Sequence, residues 1–487
     1  MDPTNPGGVS AETIEAVRQA LASPIPVGAG DPTVMAKATT QGISTTTGLV
    51  AYNLEAPSKK LFPVLSPLRN RFPRPNRGVG GTAVNWKAIT AINASKVKAG
   101  VAEGARNSVV STTEADKLAS FKSFGLDDFV TDEAVWAGRT FEDVRAMAGV
   151  NLLSAVMIQE EILLLGGNVT AIGKPASLTF ADTAASTIGS LTAATAYDYA
   201  VSALTLYGFA NGSTGHAAAD AADETDGRTG SHTTAASGNG SKATDITWPA
   251  VRGAVAYNVF AGTSGGTKYY VATVTTPYIR ILSIPGSGNV PNTADQTADA
   301  LSFDGVIPQL EVSGSGAYFK DLANATLTGD NAGGIVEFDT ALQSLWDNSR
   351  IGPTIILVNS QEAKNGLAKI AANGSTTTLR LTAAVGADGT VSGGLMLGDY
   401  LDKFTQQRIP LMTHPNLPAG LILMLSERLP YPNNNVPNVF EVEVQSEYVQ
   451  YDWARVQRKY EFGVYAREVL KVYFPAGCAV LSGIANG

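Results

Sequence analysis

Few residues in this chain have the types needed for chemistry. There are three histidines and one cysteine in 487 residues. His216 and His232 lie in a Gly/Ser/Thr/Ala/Asp-rich stretch from Asn211 to Lys242. Two imidazoles can open a metal site, but in a flexible loop the plainer reading is a pair of solvated side chains. His414 sits in a Pro-flanked turn, THPNLP, which suits a structural histidine better than a member of a Ser–His–Asp set. Cys478 follows Pro475–Ala476–Gly477 with no evident base beside it, and a lone cysteine excludes internal disulfides and thiolate clusters. GDNAGG and GADGTVSGG are rich in glycine but lack the Gly-Lys-Ser/Thr end of a phosphate loop. Asp127 and Asp128 fall in a strand-like run, where adjacent side chains face opposite sides. The expectation is a protein with no catalytic residues, no cofactor and no metal, and not an enzyme.

Charge is distributed in blocks. Lys59, Lys60, Arg69, Arg71, Arg74, Arg77, Lys87, Lys96 and Lys98 follow one another without an acid between them. From Glu103 to Asp143 the balance reverses, with Asp127 and Asp128 inside the acidic block. Prolines break up the basic stretch, few aromatics interleave with it, and the formal net charge is −8, so a nucleic-acid grip is disfavoured. Opposed blocks in neighbouring segments suit contacts between chains, where they set register. Twelve residues are therefore candidates for an inter-subunit interface: the nine bases together with Glu103, Asp127 and Asp128.

The elements that must position them start with a long helix, TFEDVRAMAGVNLLSAVMIQEEILLLGG, residues 140–167. Thr140 can cap it, Asp143 and Glu142 suit the positive end of its dipole, and Gly166–Gly167 offer a left-handed stop. At about 1.5 Å per residue it would run roughly 35–40 Å. Val144, Met147, Ala148, Leu152, Ala155, Val156, Ile158, Ile162 and Leu165 make a wide apolar face. Asp143, Arg145, Asn151, Gln159, Glu160 and Glu161 leave a narrow polar strip, and the acidic pair interrupts a bilayer-length apolar run. Before the helix, TAVNWKAITAI and KLASFKSFGLDDFVTDEAVWA read as two long strands joined by a polar tip, KAGVAEGARN. Residues 1–60 read as an arm that orders against something else.

This succession resembles the major capsid protein of tailed double-stranded DNA bacteriophages, with the Hong Kong 97-type fold. The motifs that carry the resemblance are LFPVLSPLRNRFPR, the VAEGARN tip, and FKSFGLDDFVTDEAVWA leading into the long helix. It implies an α+β fold: N-terminal arm (1–60), E-loop hairpin and flanking peripheral strands (61–139), spine helix (140–167), axial domain (305–437), and peripheral strands with the C-terminus (438–487). Residues 168–304 depart from the pattern. AATAYDYAVSALTLYG, DITWPAVRGAVAYNVFAG and TKYYVATVTTPYIRIL alternate with aromatics between turn-rich segments. They are similar to fibronectin type III and immunoglobulin-like modules, with Trp248 and Tyr257 as core anchors, and are expected to form a separable inserted β-sandwich.

The resemblance further implies hexamers and pentamers of an icosahedral shell around double-stranded DNA, which the shell meets by non-specific proximity. It also implies a separate scaffolding protein, with host-surface or decoration contacts through the insertion. The place of action would be the virion, after synthesis in a bacterial cytoplasm, since MDPTNPGGVS lacks the features of a signal peptide, and no membrane is involved. Lys–Asn cross-links between subunits, as in some relatives, would draw on Lys96, Lys98 and Asn433–Asn435. The competing readings are an encapsulin-type container and a phage tail or adhesin protein.

Overall fold

The computed structural model describes residues 66–75, 80–92, 100–107, 112–139, 143–175, 177–183, 189–210, 229–234, 243–291, 295–373, 384–385, 391–392, 398–433 and 436–486. The chain divides into two units, Met1–Leu61 and Phe62–Gly487. The arm 1–60, Thr140, His216, Asn434 and Asn435 lie outside the described residues, as do Lys59, Lys60, Arg77, Lys96 and Lys98.

The second unit opens with a short helix, α1 (Pro67–Arg71), and then a two-stranded ribbon, β1 (Ala83–Ile92) against β2 (Thr112–Ser120). The strand-like run 117–137 is not one strand. It breaks at Phe121, whose buried ring turns the chain out of the ribbon. β3 (Lys122–Thr131) then joins a different sheet, and DEAVWAG is helix α2 (Asp132–Gly138) rather than strand. Thr131 Oγ1 accepts from the Ala134 N–H at 3.3 Å, and Asp132 and Glu133 occupy the first turn. A local cap with favourable dipole charge outweighs the β pattern there.

The long helix is α3 (Val144–Gly166), about 35 Å in length. Its cap is Asp143, whose carboxylate accepts from the N–H groups of Arg145 and Ala146 at 3.0 and 3.1 Å. Gly167 is extended (φ −60°, ψ 144°), so the stop is not left-handed. The glycines are there for room: a Cβ at Gly166 would strike Leu206, and one at Gly167 would strike the Phe303 carbonyl oxygen. By length and hydropathy α3 could cross a membrane, its two acids notwithstanding. Its C-terminal half is nevertheless interior, and there the expected polar strip does not reach solvent, because Glu160 and Glu161 are fully buried, while Asp143 and Arg145 at the other end are exposed.

Residues 168–304 form two antiparallel sheets with a core of their own. β4 (Thr179–Thr183), β7 (Ala243–Thr247) and β10 (Tyr278–Ile281) make one, in the order β10-β7-β4. β5 (Ala196–Leu204), β6 (Thr229–Thr233), β8 (Ala256–Thr263) and β9 (Tyr269–Val274) make the other, in the order β6-β5-β8-β9. Trp248 and Tyr257 are both buried, edge to face at 5.3 Å. The ends of β5 and β8 do not stay in that core. Leu204, Val255 and Ala256 belong to the same cluster as Leu163, Leu164 and Leu165, together with Leu206 of α4 (Leu206–Ala210). At this end the 168–304 body shares its packing with α3.

The remaining elements are α5 (Val306–Glu311), β11 (Tyr318–Asp321), α6 (Val336–Ser349), β12 (Ile355–Val358), α7 (Ser360–Asn373), a two-residue ladder β13–β14 (Ala384–Val385 with Val391–Ser392), β15 (Asp399–Leu401), β16 (Arg408–Thr413), β17 (Ile422–Leu425), the short pair β18 (Arg428–Asn433) and β19 (Val436–Asn438), β20 (Phe440–Asp452), β21 (Lys459–Val472) and β22 (Ala479–Ser482). β20, β21 and β3 form one antiparallel sheet, with α3 packed on it. A six-stranded mixed sheet runs β11-β22-β17-β12-β16-β15, so the C-terminal strand lies here and not with β20 and β21. Its central strands are apolar on both faces because both are covered. Ile356, Val358, Ile422, Met424 and Leu481 pack with Phe338, Leu342 and Leu345 of α6. Ile355, Leu357, Leu423, Leu425 and Val480 face the core beneath α3.

Two substitutions in α3 should part in sign. Gly149 has nothing within 4 Å of its Cβ position, so Gly149→Ala should gain about 0.5–1 kcal/mol of helix stability. Gly167→Ala meets backbone that cannot yield and should lose about 1–3 kcal/mol. Denaturant unfolding measures both, and equal effects would contradict the packing described.

Candidate functional site

The most chemically loaded place in the protein is the C-terminal half of α3. Side chains at i and i+1 on a helix diverge by about 100°, so Glu160 and Glu161 reach different neighbours. Glu161 caps α1 from across the core. Ser66 makes no side-chain cap there, and the first orphan N–H groups, those of Leu68 and Arg69, donate to Glu161 Oε1 and Oε2 at 2.9 Å each. Pro67 at the first helical position has no N–H to satisfy. The third partner of Glu161 is His414, whose Nε2 lies 2.7 Å from Oε1. The Asn416 N–H donates to His414 Nδ1 at 3.2 Å, which places the ring proton on Nε2, aimed at the carboxylate.

Glu160 faces the guanidinium groups. Arg69 Nε donates to it at 2.9 Å, and Arg74 bridges Glu160 to Glu468 of β21. Arg69 Nε also reaches the Tyr448 hydroxyl at 2.9 Å, and its guanidinium stacks over that ring at 5.1 Å. Arg71 makes a forked pair with Glu427 at 2.5 and 3.0 Å. Phe72 stacks on Phe440 at 4.9 Å, and the Pro73 carbonyl accepts from the Val442 N–H at 3.0 Å. Residues 66–75 are thus fastened to α3, β20, β21 and the 414–416 turn at once.

The proton count of the cluster is set by Glu468. Burial first, then the nearby charge of Glu160, push its carboxyl up to about 8, and its Oε1 meets no hydrogen-bond partner among the described residues. With Glu468 protonated, the negative charges of Glu160 and Glu161 balance the positive charges of Arg69 and Arg74. A second buried set lies on the same sheet, where Lys471 contacts Glu441 and Glu443.

Of the twelve interface candidates, the structure brings Arg69, Arg71 and Arg74 into this intrachain network. Lys87 lies exposed on β1, 3.5 Å from Glu114 across the ribbon. Glu103 is exposed near the ribbon's tip. Asp127 accepts from Trp453 Nε1 at 3.2 Å and from the Tyr465 hydroxyl at 2.9 Å, while Asp128 accepts from the next backbone N–H. Sequence reasoning missed Glu160, Glu161, Glu468, Glu427 and Tyr448 as partners. The available signal was an acidic pair just before Ile-Leu-Leu-Leu-Gly-Gly, matched to three arginines within six residues.

Burial pushes the Cys478 thiol up to about 12, the reverse of an activated thiolate. Among the described residues, no group of three or more His, Cys, Asp or Glu side chains could hold a metal.

No family model and no curated protein matches the chain. Loose similarity to solved structures exists. The cyanophage A-1(L) capsid aligns over 92% of this chain and 99% of its own, with 11% identity and a TM-score of 0.42. The capsid of Myoviridae phage XM1 covers 91% and 98%, with 9% identity and a TM-score of 0.39. The holo-SrpI encapsulin complex from Synechococcus elongatus PCC 7942 covers 92% and 95%, with 8% identity and a TM-score of 0.37. Scores this low do not establish a shared fold.

Removing one member of the cluster leaves its partners charged and buried. Glu160→Ala should cost about 3–5 kcal/mol, whereas exposed Lys87→Ala should cost under about 1 kcal/mol. Similar losses for the two would overturn the assignment. The sign for Glu468 follows from its raised value. Folding takes up a proton, so this part of the stability is complete below the unfolded value near 4.5 and declines as pH rises through 8. Unfolding midpoints of Glu468→Gln should fall less between pH 5 and 8 than those of the wild type; parallel profiles would refute the shared-proton reading.

Proposed function

We propose that this chain is a shell-forming major capsid subunit of a tailed double-stranded DNA bacteriophage. The observation that carries the reading is the ribbon β1–β2. Among the described residues it pairs with no third strand. At its base, Trp86 Nε1 donates to the Val472 carbonyl at 3.0 Å and the Ile89 N–H donates to that of Tyr473 at 2.8 Å. Leu118, paired with Asn85, is 71% exposed, and beyond that anchor residues 101–107 are all exposed. A two-stranded ribbon is marginal in isolation, so a neighbouring subunit is the natural cover. In this reading β1–β2 is an E-loop, α3 a spine, and the 168–304 body an immunoglobulin-like decoration that braces the shell or touches the host surface.

The subunits would close hexamers and pentamers of an icosahedral head, with a separate scaffolding protein and packaged DNA nearby. The mechanism is assembly, driven by burial of apolar surface. Trp136 and Val456, 70% and 87% exposed, supply such surface outside the ribbon. Charge pairing between chains falls to Lys87, Glu103, Asp127 and Asp128, with Lys59, Lys60, Arg77, Lys96 and Lys98 as further candidates. Arg69, Arg71 and Arg74 serve the interior.

Negative-stain microscopy of the purified chain, alone and with a co-expressed scaffolding protein, tests this. Closed shells are expected. Tubes or fibres would favour a tail protein, and persistent monomers would sink the proposal. Replacing residues 93–111 by a short turn should abolish shells while leaving a soluble, cooperatively folding chain. Shells that form without the ribbon tip would remove the observation on which the reading stands.

A further inference from the structure

Where the β-domain meets the rest of the unit, one turn has three of its N–H groups held by side chains. The Ala250 N–H donates to Asp321 Oδ2 at 3.2 Å, the Val251 N–H to the Tyr257 hydroxyl at 2.9 Å, and the Gly253 N–H to Glu311 Oε2 at 2.6 Å. The turn requires glycine, because Gly253 has φ +86° and its Cβ position lies 2.9 Å from Ile172. Arg252 lies over the Phe319 ring at 4.7 Å, and its Nη1 is 3.4 Å from the Glu311 carbonyl oxygen, so it addresses the backbone of Glu311 and not its carboxyl group. Glu311 ends α5, is 1% exposed, and its Oε1 meets no partner among the described residues.

A carboxylate so placed would be a buried charge with one donor and no ion pair, which costs more than the neutral acid. The charged and titratable groups around the seam are Arg252 on the turn, Tyr257 on β8 and Asp321 on β11. Lys117 and Asp304 line the adjoining cavity of about 350 Å³, together with Arg252 and Gly253. None of these compensates Glu311 by contact with its Oε1.

We propose that this seam is a proton-dependent clasp. As a carboxylic acid, Glu311 holds the 250–253 turn against α5, and its ionisation loosens the docking of the β-domain without unfolding either part. Burial pushes the Glu311 carboxyl up to about 8, with the Gly253 N–H and Arg252 only partly opposing. The sign follows. The folded value lies above the unfolded one, so the clasp is complete below about 4.5 and is lost as pH rises through 8.

Hydrogen exchange of the full-length chain between pH 6 and pH 9, corrected for intrinsic rates, tests it. Protection at 250–257 should fall on the order of ten- to hundredfold between pH 6 and 8 and level off above, and in Glu468→Gln, which lacks the raised carboxyl of β21, it should stay below that of the β20–β21 amides at every pH. Glu311→Gln should hold protection at 250–257 constant with pH, and Glu468→Gln should leave the fall at 250–257 in place. A flat wild-type profile would overturn the clasp. So would equal protection at 250–257 and β20–β21 in Glu468→Gln, which would mean one global opening, or an undiminished fall in Glu311→Gln. Should Glu311→Gln fail to fold, the wild-type and Glu468→Gln profiles still separate a local release from a global one.

Discussion

Two adjacent carboxylates inside an apolar core are the constraint on which the second unit depends. Alone, either would cost several kcal/mol to bury. Glu160 and Glu161 remain only because three places bring donors to them: α1 with two backbone N–H groups, the 69–74 segment with two guanidinium groups, and the 414 turn with an imidazole, while Glu468 of β21 joins as a further partner of Arg74. The pair therefore fixes more than energy. A slip of α3 by one residue would put one carboxylate in the other's place and Gln159 or Ile162 in the place left, so that either the cations or the N–H groups that need a cap would lose their carboxylate. Such a network specifies register even where a hydrophobic substitute would pack as well.

The same helix end carries a second, steric constraint. Gly166 and Gly167 let the chain leave α3 close to Leu206 and Phe303, and Gly305 returns within 2.7–2.9 Å of the Leu163 carbonyl and the Gly166 and Gly167 nitrogens, measured from its Cβ position. Exit and re-entry of the 168–304 body thus share one crowded place under α3. The β-domain is attached by a shared core and by the held turn at 250–253, which is a rigid mode of attachment rather than a tether.

What the sequence showed follows from period and punctuation. The long helix, the ribbon strands, and strands within 438–487, which form the pair 440–452 and 459–472, were legible in the sequence. So was the β character of the insert, with Trp248 and Tyr257 in its core. The failures were cases where long-range partners decide. Glu160 and Glu161 read only as part of a narrow polar strip because their partners lie far along the chain, from Arg74 at 86 residues to His414 at 253. The glycine end read as a left-handed cap because nothing local reveals Phe303 and Leu206. DEAVWA read as strand because the Thr131 cap competes with an alternating run. A charge block likewise cannot say whether its partners belong to the same chain, and for Arg69, Arg71 and Arg74 they do.

That last point bears on how subunits of this kind would associate. The chain has only 16% charged residues, and many of its strongest pairs are interior: Arg74 with Glu160 and Glu468, Lys471 with Glu441 and Glu443. Large apolar groups such as Leu118, Trp136 and Val456 lie outside. Relative to an ordinary monomer the two inventories are partly exchanged. Charges held inside give register within the subunit, where the low dielectric makes them sensitive to geometry. Apolar groups left outside give association that depends on area more than on exact pairing. A subunit required to meet non-identical neighbours in hexamers and pentamers is served by that division, because area tolerates small changes of angle and a forked salt bridge does not.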